Sequence, residues 1–117
     1  MTDIIIITKK ISKKELKQLA EQGFGDLVKA VVDTKIGIMA VGGELHADEE
    51  AELLKNGSEQ SDLWGINLYP DESEEKWSEF DSMINIRPSQ NNRSRNVESQ
   101  EIKKKIKDIV KNLTEQR

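Results

Sequence analysis

Cysteine is absent from the 117 residues, which excludes disulfide scaffolds, thiol nucleophiles, cysteine-held zinc and iron–sulfur clusters together. Histidine occurs once, at His46, so a multi-histidine metal cage is excluded as well. No serine stands in a Gly-x-Ser-x-Gly turn, and none lies close enough in sequence to His46 to suggest a triad. Long apolar runs are missing too. Residues 4–7, a run as long as any in the chain, are far short of the roughly 20 residues that span a bilayer. No positively charged start followed by an apolar stretch marks the chain for export, and we expect a cytoplasmic protein with no membrane contact.

What is present fits one domain, residues 1–117, whose 35% apolar content suffices for a single two-layer core. The net charge of −4 makes nucleic acid a possible but not a favoured partner. Its distribution is more informative. Residues 1–43 hold seven basic and five acidic side chains, residues 44–81 two and thirteen, and residues 82–117 nine and four. The plain expectation is that the outer helices fold over the acidic middle and neutralise it. The sharper one is that the acidic stretch faces a partner.

Local signals give the order β-α-β-β-α-β-β-α. Residues 3–8 are a β-branched run, read as a strand buried on both faces or paired at an interface. Ser12 and Glu15 make a capping box, with Ile11 and Leu16 where a hydrophobic staple belongs, so a helix begins at Ser12 and Gly23 is placed to end it. Its inner stripe is Leu16, Leu19 and Ala20. Residues 27–33 and 36–41 read as strands joined by a turn at Thr34 and Lys35. After Gly42 and Gly43, a helix over residues 47–56 carries Asp48, Glu49 and Glu50 in its first turn, where the helix dipole favours them. Residues 63–69 and 80–87 read as strands closed by Pro70 and Pro88, paired as a hairpin. The last helix, residues 99–113, aligns Ile102, Ile106, Ile109, Val110 and Leu113 on one stripe. The expected fold is α+β, with a mainly antiparallel sheet of about five strands and the helices packed on one face.

The stretches GIMAVGGELHADEE (residues 37–50), DLWGINLYP (62–70) and EFDSMINIRPSQNNRSR (79–95) are distinctive together. They resemble a family of roughly 110-residue prokaryotic proteins classed as a domain of unknown function. The resemblance covers residues 7–113 and implies no activity, cofactor or partner.

The residues must therefore speak for the chemistry. In the expected hairpin, Trp64, Ile66, Leu68, Phe80, Ser82, Ile84 and Ile86 face the core, and Gly65, Asn67, Tyr69, Asp81, Met83, Asn85 and Arg87 the other side. That second set is a polar cluster with room left above Gly65. It is either an ordinary solvated face or the floor of a ligand site, and Asn and Tyr favour the latter over the Thr, Lys and Glu of most exposed strands. The loop that follows, Ser89, Gln90, Asn91, Asn92, Arg93, Ser94 and Arg95, is rich in donors suited to phosphate or carboxylate, unless its arginines pair with the acidic middle. The first reading is a non-catalytic module that holds an anionic small molecule, or an acidic or phosphorylated protein partner. Its expected ligand-binding residues are Asn67, Tyr69, Asn85, Arg87, Ser89, Asn92, Arg93 and Arg95.

A second reading is a metal-dependent hydrolase. The glycine pair before a helix resembles a phosphate cradle, but the carboxylates around it suit a cation. Glu44, His46 and Asp48 alternate, Asp81 offers a further oxygen, and a hydrated Mg²⁺ or Mn²⁺ needs only two or three such ligands. A third reading is a structural, homodimeric subunit joined through an edge strand at residues 4–7.

Overall fold

A computed structural model describes residues 3–115. The chain runs β1 (Ile5–Ile7), α1 (Lys13–Gln22), β2 (Val28–Asp33), β3 (Ile38–Val41), α2 (His46–Lys55), β4 (Leu63–Leu68), β5 (Ser78–Glu79) and α3 (Gln100–Leu113). The five strands form one antiparallel sheet in the order β1-β3-β2-β4-β5. The α+β class, the antiparallel sheet and the order of elements are those expected.

The helices, however, cover both faces of the sheet and not one. On the first face Ala30, Val32, Met39, Val41 and Ile66 share a core with Leu16 of α1 and Ile106 and Val110 of α3. On the second, Val31, Ala40 and Leu63 meet Leu53 of α2. The cause is in the strands. VKAVVD and IMAV are nearly continuous apolar runs, as in strands covered on both sides, so a second face needs its own helix.

The first helix is built from the capping box read in the sequence and the last from its apolar stripe, to which the structure adds a cap at Ser99. Ser12 Oγ accepts from the Glu15 N–H at 3.1 Å and donates to the Glu15 carboxylate at 3.2 Å. Ser99 Oγ likewise accepts from the Ile102 N–H at 3.2 Å. The two helices are laced together where the Ile11 N–H donates to the Leu113 carbonyl and the Glu115 N–H to the Ile11 carbonyl, each at 2.9 Å.

Charge neutralisation follows the same division. Lys17 pairs with Asp71 at 2.7 Å and Lys111 with Glu74 at 3.8 Å, so α1 and α3 offset the acidic loop beside them. The acids of α2 lie across the sheet from those lysines.

Residues 80–87 are not the expected strand. β5 stops at Glu79, Ser82 Oγ accepts from the Ile84 N–H at 3.3 Å, and a 3-10 turn forms over Met83–Asn85, with a second over Pro88–Gln90. Phe80 packs on the first face of the sheet and Ile84 on the second, while Met83 is 66% and Ile86 38% exposed. No two-residue alternation survives. The short polar side chain of Ser82 binds its own backbone and draws the chain into a turn.

Candidate functional site

β5 pairs with β4 only at Asn67 and Leu68, so the outer edge of residues 63–66 needs other hydrogen-bond partners. Side chains supply them. Asn85 Oδ1 accepts from the Gly65 N–H at 2.8 Å, and its Nδ2 donates to the Gly65 carbonyl at 2.9 Å and the Arg95 carbonyl at 3.0 Å. A side-chain amide thus takes the place of a peptide group in the ladder. Arg87 donates to the carbonyls of Leu63, Gln60 and Ile84 and lies over the Trp64 ring at 4.6 Å. Asn92 Nδ2 donates to the Asn85 and Asn96 carbonyls at 2.7 Å each, while its Oδ1 accepts from the Glu98 N–H at 2.8 Å.

Of these three residues, expected on a ligand-facing surface, Asn85 and Arg87 fasten the 82–98 segment to β4 and Asn92 ties that segment to itself. Nor is there room above Gly65. A Cβ there would stand 2.6 Å from both Cβ and Oγ of Ser82 and 3.2 Å from the His46 ring.

The other expected ligand contacts are spread out. Asn67 and Tyr69 both donate to the Glu79 carboxylate, at 2.9 and 3.0 Å. Burial and the neighbouring Glu79 raise the Tyr69 hydroxyl pKa. Arg95 pairs with Asp81 at 2.6 Å. The Glu98 carboxylate accepts from the Arg93 and Ser94 N–H groups and the Ser94 hydroxyl, which holds its pKa below the usual range. Ser89 is exposed in the second 3-10 turn. The donors of this loop that are engaged go to neighbouring protein groups: Gln90 to the Ser61 carbonyl, Asn92 to the Asn85 and Asn96 carbonyls, Ser94 to Glu98 and Arg95 to Asp81.

The four candidate metal ligands do not form a coordinating group. His46 is buried and its Nε2–H donates to the Ile66 carbonyl at 2.7 Å. Burial holds its pKa below the ordinary histidine value. Glu44 and Asp48 are exposed, and Asp81 is engaged by Arg95. Among the described residues no three His, Cys, Asp or Glu side chains are arranged to hold a metal ion.

Two features were not read from the sequence. Glu49, expected on the solvated start of α2, is fully buried. Its Oε2 accepts from the Gly43 N–H at 2.9 Å, its Oε1 has no partner, and burial pushes its pKa up to about 9. The signal was its helical spacing: His46, Glu49 and Leu53 lie on one stripe, the stripe that faces the sheet. The glycine pair belongs to this packing and is not a phosphate cradle. Gly42 has φ of +92° and leaves 2.9 Å between its missing Cβ and the Asp3 carbonyl, while a Cβ on Gly43 would lie 2.9 Å from Glu49 Cγ.

Beside that glycine pair a groove of about 380 Å³ opens between the end of α1 and the start of α2, lined by Phe24, Leu27, Lys29, Gly43, Glu44 and Leu45. Phe24 and Leu45 are 49% and 58% exposed. The Lys29 ammonium lies over the Phe24 ring at 5.2 Å, and among the described residues it makes no ion pair. In register, Lys29 stands opposite Asn67, whose buried Oδ1 also lacks a partner.

The fold and this geometry define a small α+β domain with a cation at the floor of a half-apolar groove. The chain belongs to the family described as Protein of unknown function (DUF5674), whose model matches residues 5–113. That agrees with the resemblance to an uncharacterised family of about this length. No curated protein and no solved structure matches the chain.

Proposed function

We propose that this protein is a non-catalytic binding module for a small anionic ligand with an apolar body, held in the groove between α1 and α2. The observation that carries the reading is Lys29, a cation lining a half-apolar groove with the Phe24 ring as its neighbour and, among the described residues, no ion pair. A carboxylate, sulfonate or phosphate would meet the ammonium while its hydrocarbon part covers Phe24 and Leu45. The anionic ligand expected from the sequence is retained and its place is moved, because Arg87 and Arg95 are already engaged. Binding is favoured over chemistry because His46 and Glu49, the groups best suited to proton transfer, are closed off and committed to backbone groups.

The test is a fluorescence titration with anilinonaphthalene sulfonate, whose anionic head and apolar rings match the groove. Lys29→Met should weaken binding about tenfold, in line with loss of one charge-assisted contact. Glu44→Gln, which removes the acid at the rim, should strengthen it. The Arg93→Ala, Arg95→Ala double variant should bind as the unmodified protein does. Equal affinity in the Lys29→Met variant, with its fold intact by circular dichroism, refutes the proposal.

A further inference from the structure

We propose that the open edge of β1 joins a second copy of this chain, giving a two-fold symmetric dimer with one continuous antiparallel sheet. The argument is independent of the ligand groove. Among the described residues β1 pairs within the sheet with β3 alone, so its outer edge offers unpaired backbone groups. Proteins guard such edges with charges, prolines or very short strands. Both edge strands are short, β1 with three residues and β5 with two, but β5 carries a charge, Glu79, where β1 carries none. Residues 4–7 are four isoleucines with no charge, glycine or proline among them, and Ile5 is 43% exposed.

The sequence around β1 is also complementary to itself. In an antiparallel pairing centred on Ile6, Ile6 meets Ile6 of the second copy, Ile5 meets Ile7, Ile4 meets Thr8, and Asp3 comes opposite Lys9 at both ends. Residues of like parity face each other, so α1 and α3 of both copies lie on the same side of the joined sheet. Centring the pair on Ile5 would set Asp3 against Ile7, and centring it on Ile7 would set Lys9 against Ile5. Each alternative leaves a charge against an apolar side chain. Only the Ile6-centred register pairs opposite charges.

Sedimentation equilibrium of the full chain tests this, with an expected mass twice the 13.3 kDa of one copy. Asp3→Lys and Lys9→Asp should each raise the dissociation constant roughly tenfold, because two like-charge contacts replace two attractive ones, and the double exchange should restore it. Ile5→Lys should favour the monomer. If that variant loses its fold, the charge exchange still decides, since Asp3 and Lys9 are exposed in the single copy. A monomer at all concentrations up to about 100 μM overturns the proposal, as affinities weaker than this lie below those of stable dimers. So does a dimer whose constant ignores all the charge variants, because it must then be built on another surface.

Discussion

Asn85 shows how much one side chain can hold. Its amide satisfies both backbone groups of Gly65 and the Arg95 carbonyl, all in a fully buried position. Asn85→Ala strands those three groups, and each unsatisfied buried group costs on the order of 1 kcal/mol or more, so denaturant unfolding should show a loss of about 3 kcal/mol. Asn85→Asp keeps only the acceptor and turns a carboxylate toward two carbonyls, so it should be no milder. Gly65 is the matching constraint. With Ser82 Cβ and Oγ only 2.6 Å from where a Cβ would be, Gly65→Ala should cost a few kcal/mol through overpacking, because Ser82 Cβ is the fixed root of its side chain and can retreat only with its backbone. Adding Ser82→Gly should recover part of that loss. Additive effects in the double-mutant cycle would show that the two residues do not compete for one space.

The elements differ in how far they can be read from local pattern. Helix α1 is legible because cap, stripe and stop all agree, and α3 because of its stripe: Ser12 does cap, and Leu16, Ala20, Ile106 and Val110 do face the core. β2, β3 and β4 are legible from their apolar runs. What stayed hidden is information carried by long-range partners. The α2 helix shows a Glu-rich start, and although helical spacing sets Glu49 on one stripe with His46 and Leu53, it is the sheet packed against that stripe that makes the position buried. The alternation of Ile84 and Ile86 with polar residues imitates a strand, yet Asn85 and Arg87 spend their side chains on the β4 edge that a strand's backbone would have paired. The candidate ligand residues show the same limit. Hydrogen-bonding capacity is visible in sequence, but its recipient is not. Ile86 separates the two descriptions. In the expected strand it belongs to the core, where Ile→Ala costs about 2–5 kcal/mol. In the observed turn it is 38% exposed, and Ile86→Ala should cost under about 1 kcal/mol in urea unfolding.

At the scale of the molecule, a sheet covered on both faces places two titratable groups between α2 and the strands, and their effects on stability run in opposite directions. His46 has its pKa lowered by burial, so below about 6.5 the unfolded chain takes up a proton that the folded chain resists, and stability falls with acid. Glu49 has its pKa raised by burial, with Asp48 adding to the rise and the Gly43 N–H and Lys29 opposing it. Between 4.5 and about 9 the folded state keeps a proton that the unfolded chain has released, so stability falls as pH rises through that window. Below 4.5 both states are protonated and the penalty is gone. At pH 7 it reaches about 3 kcal/mol as an upper figure, at roughly 1.4 kcal/mol for each pH unit above 4.5. Glu49→Gln keeps an acceptor for Gly43 and cannot ionise. Its stability relative to the unmodified protein should therefore be lower or equal near pH 4.5, and should rise steadily through pH 6, 7 and 8 in parallel denaturant titrations. The His46-dependent loss in acid should persist in the variant, since that group is untouched. A stability difference between the two proteins that stays constant over this range would mean that Glu49 ionises in the folded chain as it does in the unfolded one.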